Sequence, residues 1–328
     1  MRGMKRIALI ACLAAPLAQA QVFSEPALEA LYRAEKHAEL DRIAQQRLAA
    51  KADDRQAVLA AALVSQHPAG TPAQRQAAIQ RAEACVELQP KAHECHYALG
   101  STLGVHAMTE GLMTMAGSVG RVRSELAEAL ALAPQWYPAR SAMVSFYVLA
   151  PGLLGGSRDK ARDTAQGAAT PDQARALQAF VLMNDDKPEA ALQAFESIRP
   201  GADPTLDDDV RQWAHNAGFM LLNAGQAARA RSWFERAVRD RPADATALYG
   251  LGRVQADSGA HADALGWFER AAKGSGADAL PLDYRIGISQ QALGQLAAAR
   301  AAFTRFVSAG KGPKKSLDDA RRRLQSLG

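Results

Sequence analysis

The candidate metal ligands of this sequence are concentrated in one segment, residues 93–115. Its histidines and methionines are His93, His96, His106, Met108, Met113 and Met115. Imidazole and thioether groups suit copper, and side chains three residues apart, such as those of His93 and His96, can share one face of a helix. Methionine is also well adapted to packing an apolar segment against helices, and no compact Met-x-x-Met array repeats here. Two interpretations therefore remain, a copper-binding site and an apolar packing segment, and the sequence favours packing.

A second segment with possible chemistry is the glycine-rich stretch 155–160, which reads Gly-Gly-Ser-Arg-Asp-Lys. It suggests a phosphate-binding loop, but the G-x-x-x-x-G-K-[ST] spacing is not matched and no strand is expected before it. Ser157 is better explained as the N-cap of the following helix. No nucleophile accompanied by a base and an orienting group can be identified either. We therefore predict a protein that is not an enzyme, with no catalytic residues, no bound metal and no cofactor.

The first 20 residues have the pattern of a secretory signal peptide. Arg2, Lys5 and Arg6 precede an apolar stretch at 7–17, and an A-x-A cleavage site ends at Ala20. This predicts a periplasmic or secreted mature chain that starts at Gln21. The alternative is a lipoprotein anchored at Cys12, because Leu-Ile-Ala-Cys at 9–12 fits a lipoprotein box. That alternative would leave only residues 7–11 as the hydrophobic region, which is shorter than usual.

The charge of the chain gives no support to a nucleic-acid partner. Of 39 basic residues three lie in the predicted signal peptide, which leaves 36 against 34 acidic ones. Nucleic-acid binding would need basic side chains gathered on one face, whereas the basic stretch 311–323 is interrupted by Asp318 and Asp319. No run after the signal peptide reaches 18 apolar residues, so no transmembrane segment is expected.

Two cysteines follow the signal peptide, Cys85 and Cys95. An even number in an exported protein favours a disulfide. Cys85 is expected near the end of one helix and Cys95 near the start of the next, with Pro90 in the turn between them. This arrangement can bring the two Cα atoms within the roughly 4.4–6.8 Å that a disulfide needs. We predict a structural staple and not a redox pair, because the chain has no Cys-x-x-Cys.

The strongest pattern in the chain is a repeat with a period of 34 residues. Trp-Phe-Glu-Arg-Ala occurs at 233–237 and again at 267–271, and Gly225 recurs as Gly259 at the same offset. Thirty-four residues is the length of a tetratricopeptide (TPR) helix–turn–helix unit, whose A-x3-F…P pattern is present in Ala230, Phe234 and Pro242. The predicted fold is all-α, a right-handed superhelix (α-solenoid) of TPR-like helix–turn–helix repeats.

The repeat becomes less regular towards the N-terminus. The predicted divisions are the signal peptide 1–20, degenerate helix pairs in 21–90, TPR-like units with inserted loops (107–118 and 150–157) in 91–170, regular repeats in 171–314, and a capping helix in 315–328. Ser316 is the expected N-cap of that last helix. Whether the 107–118 insertion serves a function or only packing is open at this stage.

Two segments resemble blocks that occur together in exported bacterial TPR proteins. The first reads Cys85…Cys95-His-Tyr-Ala-Leu-Gly, and the second, within 121–161, contains YVLAPGLLGGSRDKA at 147–161. The second matches the pattern Tyr-x2-Ala-Pro-Gly-x2-Gly-Gly-x-x-Asp-Lys-Ala of that group. The resemblance implies a helical-repeat fold and export. It implies no activity, because the proteins of this group are largely uncharacterised.

Stacked repeats are expected to leave a concave surface lined mainly by the first helix of each pair, which suits an extended peptide or a partner helix. The residues predicted to face this groove are Gln212, His215, Phe219, Asn223, Tyr249, Arg253, Asp257, Tyr284, Ile288 and Gln291. The sequence therefore favours a non-enzymatic scaffold in the cell envelope that binds protein or peptide partners through this groove. The alternative function is periplasmic copper binding by the 93–115 segment.

Overall fold

The computed structural model describes residues 21–67 and 70–327, and at residues 112, 113, 115 and 116 it describes the backbone alone. The predicted signal peptide with its cleavage site, the alternative anchor Cys12, and the side chains of Met113 and Met115 lie outside the described part. The described chain contains helices and one isolated bridge, between Asp244 and Ser275, but no strand. None of these helices combines the length and apolar character needed to cross a membrane.

The helices follow one another with short connections. They are α1 Pro26–Arg33, α2 His37–Ala50, α3 Arg55–Gln66, α4 Pro72–Leu88, α5 His93–Glu110, α6 Leu112–Leu132, α7 Tyr137–Leu149, α8 Arg158–Gln166, α9 Pro171–Asn184, α10 Pro188–Ser197, α11 Pro204–Asn223, α12 Ala227–Asp240, α13 Ala245–Asp257, α14 His261–Ala271, α15 Leu282–Ala292, α16 Leu296–Ala309 and α17 Lys314–Ser326. Short 3-10 turns occur at Gly152–Leu154 and Ala277–Ala279. The all-α fold is as predicted.

The described residues form two compact units. Unit 1 comprises the residues up to 185 together with 197–210, and unit 2 comprises 186–196 and the residues from 211 onwards. The core of unit 1 includes the buried side chains of Phe23, Leu40, Leu59, Leu99, Leu126 and Trp136. In unit 2 the buried side chains of successive second helices, Phe234, Phe268 and Phe303, are fully enclosed.

Unit 2 contains the regular repeats. Gly225 and Gly259 end first helices with φ values of +80° and +85°, a left-handed conformation that favours glycine. A Cβ atom at Gly252 would overlap the ring of Phe268, and one at Gly287 would lie 2.7 Å from the ring of Phe303. Glycine in the first helix therefore allows the phenylalanine of the second helix to pack directly on the backbone.

Unit 1 contains a longer helix pair, α5 and α6. The segment 107–118, which was expected to be an inserted loop, is helical instead: α5 continues to Glu110 and α6 begins at Leu112. The prediction was wrong because this segment carries no cluster of turn residues. Its only break is Gly111, which has a φ of +97°. The extra residues therefore lengthen both helices of a hairpin.

Local structure near 150–157 follows the sequence more closely. Ser157 caps α8, accepting a hydrogen bond from the Lys160 backbone N–H at 3.3 Å. A Cβ atom at Gly156 would overlap the Ala150 carbonyl, so the glycine allows a close backbone approach. The expected cap at Ser316 is wrong, because α17 begins two residues earlier and Pro313 occupies the N-cap position.

Cys85 and Cys95 form the predicted disulfide. Cys85 lies in the last turn of α4 and Cys95 in the first turn of α5, with their Cα atoms 5.6 Å apart. Both residues are fully buried. The staple therefore fixes the angle at which the long helix α5 leaves its predecessor.

Candidate functional site

The ten residues predicted to line a groove differ widely in exposure. Gln212, Asn223 and Asp257 are exposed. Phe219, Arg253, Tyr284, Ile288 and Gln291 are half-buried. His215 and Tyr249 are buried, with 2% and 6% of their surface exposed. The placement of these last two on an open groove was therefore wrong.

His215 is buried because it joins two consecutive helix pairs of unit 2. Its Nε2 lies 2.9 Å from Oδ2 of Asp244, and Trp233 Nε1 donates to its Nδ1 at 3.3 Å. Asp244 in turn caps α13 by accepting hydrogen bonds from the Thr246 and Ala247 backbone. Burial opposes the charge on Asp244, but the His215 contact and the backbone donors hold its pKa below the ordinary value. His215 is thus a structural residue.

Tyr249 belongs to an aromatic cluster in the core of unit 2. Its ring lies 5.9 Å from that of Phe219 and 5.7 Å from that of Phe268. Its hydroxyl accepts a hydrogen bond from Arg285 Nε at 3.3 Å. Tyr249 therefore points into the core, as the neighbouring glycines do. A helical period alone does not tell which of two adjacent helix faces packs inward.

The other predicted groove residues are mostly paired with one another or with α17. Arg253 donates to Asn223 at 3.0 Å and lies 3.4 Å from Asp257. Tyr284 donates to Asp319 at 3.0 Å, and Gln291 accepts from Arg323 at 2.8 Å. Partner binding at these positions would have to compete with contacts that already exist.

Two of the proposed copper ligands, His93 and His96, are engaged in other contacts. His96 lies 2.7 Å through Nδ1 from Oε2 of Glu125 and 3.0 Å through Nε2 from the Pro90 carbonyl. The ring of His93 packs edge-on against Trp136, with centroids 4.8 Å apart. Among the described residues, no three His, Cys, Asp or Glu side chains are placed to hold a metal. The geometry favours the packing interpretation of this segment.

The site that sequence reasoning missed is a pocket inside unit 1, with a volume of about 410 Å³. It lies between α5, α6 and α7, and the start of α11 closes one side. Its apolar walls include Val22, Val105, Val119, Val122, Leu126 and Phe146. The volume falls within the range of about 300–1,000 Å³ that is usual for ligand pockets.

Polar side chains also line the pocket. They belong to Tyr32, Gln66, Tyr97, Ser101, Ser141, Ser145, Thr205 and Asp209. Ser141 Oγ donates to Oδ2 of Asp209 at 2.8 Å. Burial raises the pKa of Asp209 to about 6 and outweighs the contacts with Ser141 and Tyr137, which lower it. The pocket therefore combines an apolar body with one ionisable carboxyl.

Two large apolar side chains border the pocket and are open to solvent. Met108 is 61% exposed and Leu149 is 51% exposed, and both line the pocket. Exposed apolar side chains next to a cavity are typical of interaction sites. Met108 belongs to the 107–118 segment, so that segment contributes directly to the site.

A sequence signal for this site exists but is weak. Thr205 and Asp209 are four residues apart on α11 and share a helix face, in a segment that otherwise contributes the buried Leu206 and Val210 to the core. Asp209 also ends a run of three aspartates, which reads as solvated surface. Nothing in the sequence indicates that α11 packs across helices 60 or more residues earlier.

Comparison with known proteins agrees with the fold. A tetratricopeptide-repeat family model matches residues 221–279, the part of unit 2 that contains α12, α13 and α14. No match is found among curated protein sequences. This match covers a fifth of the chain, so it identifies repeats in unit 2 and leaves the rest to structural comparison.

Solved helical-repeat structures resemble the chain at low sequence identity. A tetratricopeptide repeat protein from Parabacteroides merdae is 14% identical, with a TM-score of 0.46 over 78% of this chain and 93% of that one. A human IFIT1 dimer with PPP-AAAA is 13% identical, with a TM-score of 0.52 over 83% of this chain and 63% of that one. A human IFIT1 dimer with m7Gppp-AAAA is 12% identical, with a TM-score of 0.53 over 83% and 62%. The chain thus spans less than two thirds of the human protein, and at these identities the likeness concerns the fold alone.

Proposed function

We propose that this protein is a non-enzymatic scaffold of the cell envelope that binds a protein or peptide partner, and that the pocket of unit 1 receives the partner's main apolar anchor. Helical repeats present extended surfaces to partners, which supports an interaction role. The binding surface proposed here differs from the groove expected from the sequence, because the aromatic residues of that groove pack in the core of unit 2.

The observation that carries this proposal is the pocket with its exposed apolar border. Interfaces obtain most of their binding energy from a few apolar or aromatic side chains that enter well-packed pockets. A volume of about 410 Å³ accommodates one or two such side chains. Met108 and Leu149 would lose their solvent exposure against the flanking residues of the partner.

The envelope location is supported by two features. The first 20 residues have the pattern of a secretory signal. The disulfide between Cys85 and Cys95 is typical of proteins that fold in an oxidising compartment.

A peptide library displayed on phage and selected against the full chain tests the proposal. Ala142 lines the pocket and is half-buried, so Ala142→Trp places an indole inside it. Ala228 is exposed on α12, and Ala228→Trp adds the same group outside the pocket. We expect enriched peptides to bind the wild type and Ala228→Trp equally and to lose at least about tenfold in affinity, or about 1.4 kcal/mol, with Ala142→Trp.

Circular dichroism melts of both variants show whether the fold is kept. Peptides that bind Ala142→Trp as tightly as the wild type would place the partner surface outside the pocket. Failure to enrich any peptide would count against a peptide partner altogether.

A further inference from the structure

The pocket of unit 1 holds a carboxyl group that no cation neutralises. Asp209 makes a hydrogen bond with Ser141, and no basic side chain of the described residues forms an ion pair with it. The basic residue on the adjacent helix α1 is Arg33, which is fully engaged: it contacts Glu29 at 2.8 Å, Asp208 at 2.5 Å and Thr205 at 2.8 Å. Asp209 is therefore an acid in a largely apolar pocket that has room for a cationic partner from outside.

The groups that face Asp209 come from several elements and are acidic or phenolic. Asp203 and Asp208, before and on α11, add negative charge. Tyr137 on α7 is 1% exposed, and its hydroxyl lies near Asp209 without completing a hydrogen bond of ordinary geometry to any described residue. Tyr32 on α1 and Tyr97 on α5 also feel the Asp209 charge, and burial raises the pKa of both phenols. None of these groups supplies the missing positive charge.

An unpaired carboxylate in an apolar pocket is unfavourable, and an incoming cation would relieve this cost. Ser141 occupies Oδ2, which leaves Oδ1 without a hydrogen bond of ordinary geometry from a described residue. A compact ammonium group suits one oxygen, whereas a planar guanidinium is best matched by two. Tyr97 lines the same pocket, and an aromatic ring can add attraction to a cation.

We propose that the ligand of this pocket is an apolar chain that ends in a protonated primary amine, such as a lysine side chain of the partner, and that its ammonium group pairs with Asp209. This proposal rests on the pocket being the partner site. The methylene groups of the chain would lie against the apolar walls, as lysine stems do on apolar surfaces, and the ammonium would reach Asp209 on α11.

Three small probes of equal chain length test the proposal with the full chain: octylammonium, 1-octanol and octanoate. Titration calorimetry at pH 7.5 is expected to show octylammonium binding at least about tenfold more tightly than octanol, and octanoate more weakly than octanol. In Asp209→Asn the ratio between octylammonium and octanol should fall close to one. Asp163→Asn, at an exposed carboxyl of the same unit, should leave the ratio unchanged.

A pH series on the wild type provides a test that does not depend on a variant folding. The preference for octylammonium should be present at pH 7.5 and largely lost at pH 5, because Asp209 takes up a proton in between, while octanol binding stays constant. Equal binding of octylammonium and octanol would overturn the cation site and leave the apolar pocket intact. If neither probe binds the wild type, or both bind Ala142→Trp unchanged, the pocket itself is not the ligand site and the proposed function fails with it.

Discussion

The two units are built from similar helix pairs, but the residues that pack against the glycines of the first helices differ. In unit 2 the glycines of the first helices lie directly against phenylalanines of the second, as in Gly252 with Phe268 and Gly287 with Phe303. In unit 1 the corresponding contact joins Gly100 to Leu126, where a Cβ atom would come within 2.9 Å of the leucine side chain. Leucine is shorter than phenylalanine, and both Gly100 and Leu126 line the pocket. The pocket beside α5 and α6 therefore lies at a repeat that departs from the regular pattern.

The two units also differ in how their aspartates Asp244 and Asp209 are supported by hydrogen-bond donors. In unit 2, Asp244 is buried but supported by His215 and by backbone donors. In unit 1, Asp209 accepts a hydrogen bond from the Ser141 hydroxyl and lies near the Tyr137 hydroxyl, and no backbone donor supports it. The buried aspartate of the regular unit is therefore better supported by donors than the aspartate in the pocket of unit 1.

Truncation of Tyr249 should have the largest effect on stability. Tyr249→Ala removes a ring that packs between Phe219 and Phe268, so we expect the free energy of unfolding to fall by about 3–5 kcal/mol. Tyr249→Phe keeps the ring and loses only the Arg285 contact, which should cost about 0.5–1.5 kcal/mol. Urea unfolding followed by circular dichroism measures both. If Tyr249→Ala is as stable as the wild type, Tyr249 lies on an exposed surface and not in the core.

Loss of the disulfide should come next and should affect unit 1. In the chain-entropy model a closed loop as short as that between Cys85 and Cys95 contributes about 2–3 kcal/mol. In the double variant Cys85→Ala/Cys95→Ala we expect faster hydrogen exchange in α4 and α5, while α13 and α14 keep their protection. Thiol alkylation of the wild type without reductant, followed by mass spectrometry, should label neither cysteine. Labelling of both cysteines would show that the disulfide does not form.

The sequence predicts the parts of the structure that depend on local spacing. The period of 34 residues, the turn glycines Gly225 and Gly259, the Ser157 cap and the cysteine pairing all follow from neighbours within one or two helices. The burial of Tyr249 was not predicted, because a helical period does not tell which of two adjacent faces packs inward. The pocket was not predicted either, because it depends on α11 meeting helices far away in the sequence, as the contact between Ser141 and Asp209 illustrates.

A pair of glycine substitutions tests whether close packing explains the regularity of unit 2. Gly252→Ala adds a methyl group against the Phe268 ring, and we expect a loss of about 1–3 kcal/mol in the free energy of unfolding. Gly266 is exposed within α14 and nothing lies near its Cβ position. Gly266→Ala should therefore raise stability by about 0.5–1 kcal/mol, as expected for an unhindered helix site. If both changes stabilise, the glycine at 252 is not required for packing.

The smallest effects concern the two aspartates, and they should have opposite signs. The pKa of Asp209 is raised to about 6 in the folded protein, so the folded state binds more protons than the unfolded state between about pH 4 and 6, and stability falls as pH rises through this window. Asp209→Asn removes the unpaired charge and should make the protein more stable than the wild type above pH 7, by about 1–2 kcal/mol, with no difference below pH 4.

Asp244 provides the matched case in unit 2. Its pKa is lowered in the folded protein by the contact with His215 and the backbone donors, so its carboxylate stabilises the fold above the unfolded pKa, and this contribution is lost as pH falls through the lower folded value. Asp244→Asn should therefore destabilise the protein at pH 7, by about 1–2 kcal/mol, and approach the wild type only in acid. Urea unfolding from pH 4 to 8 compares both variants. If both substitutions change the free energy of unfolding in the same direction at pH 7, Asp209 is as well supported as Asp244. The two units then do not differ in how they stabilise their buried aspartates.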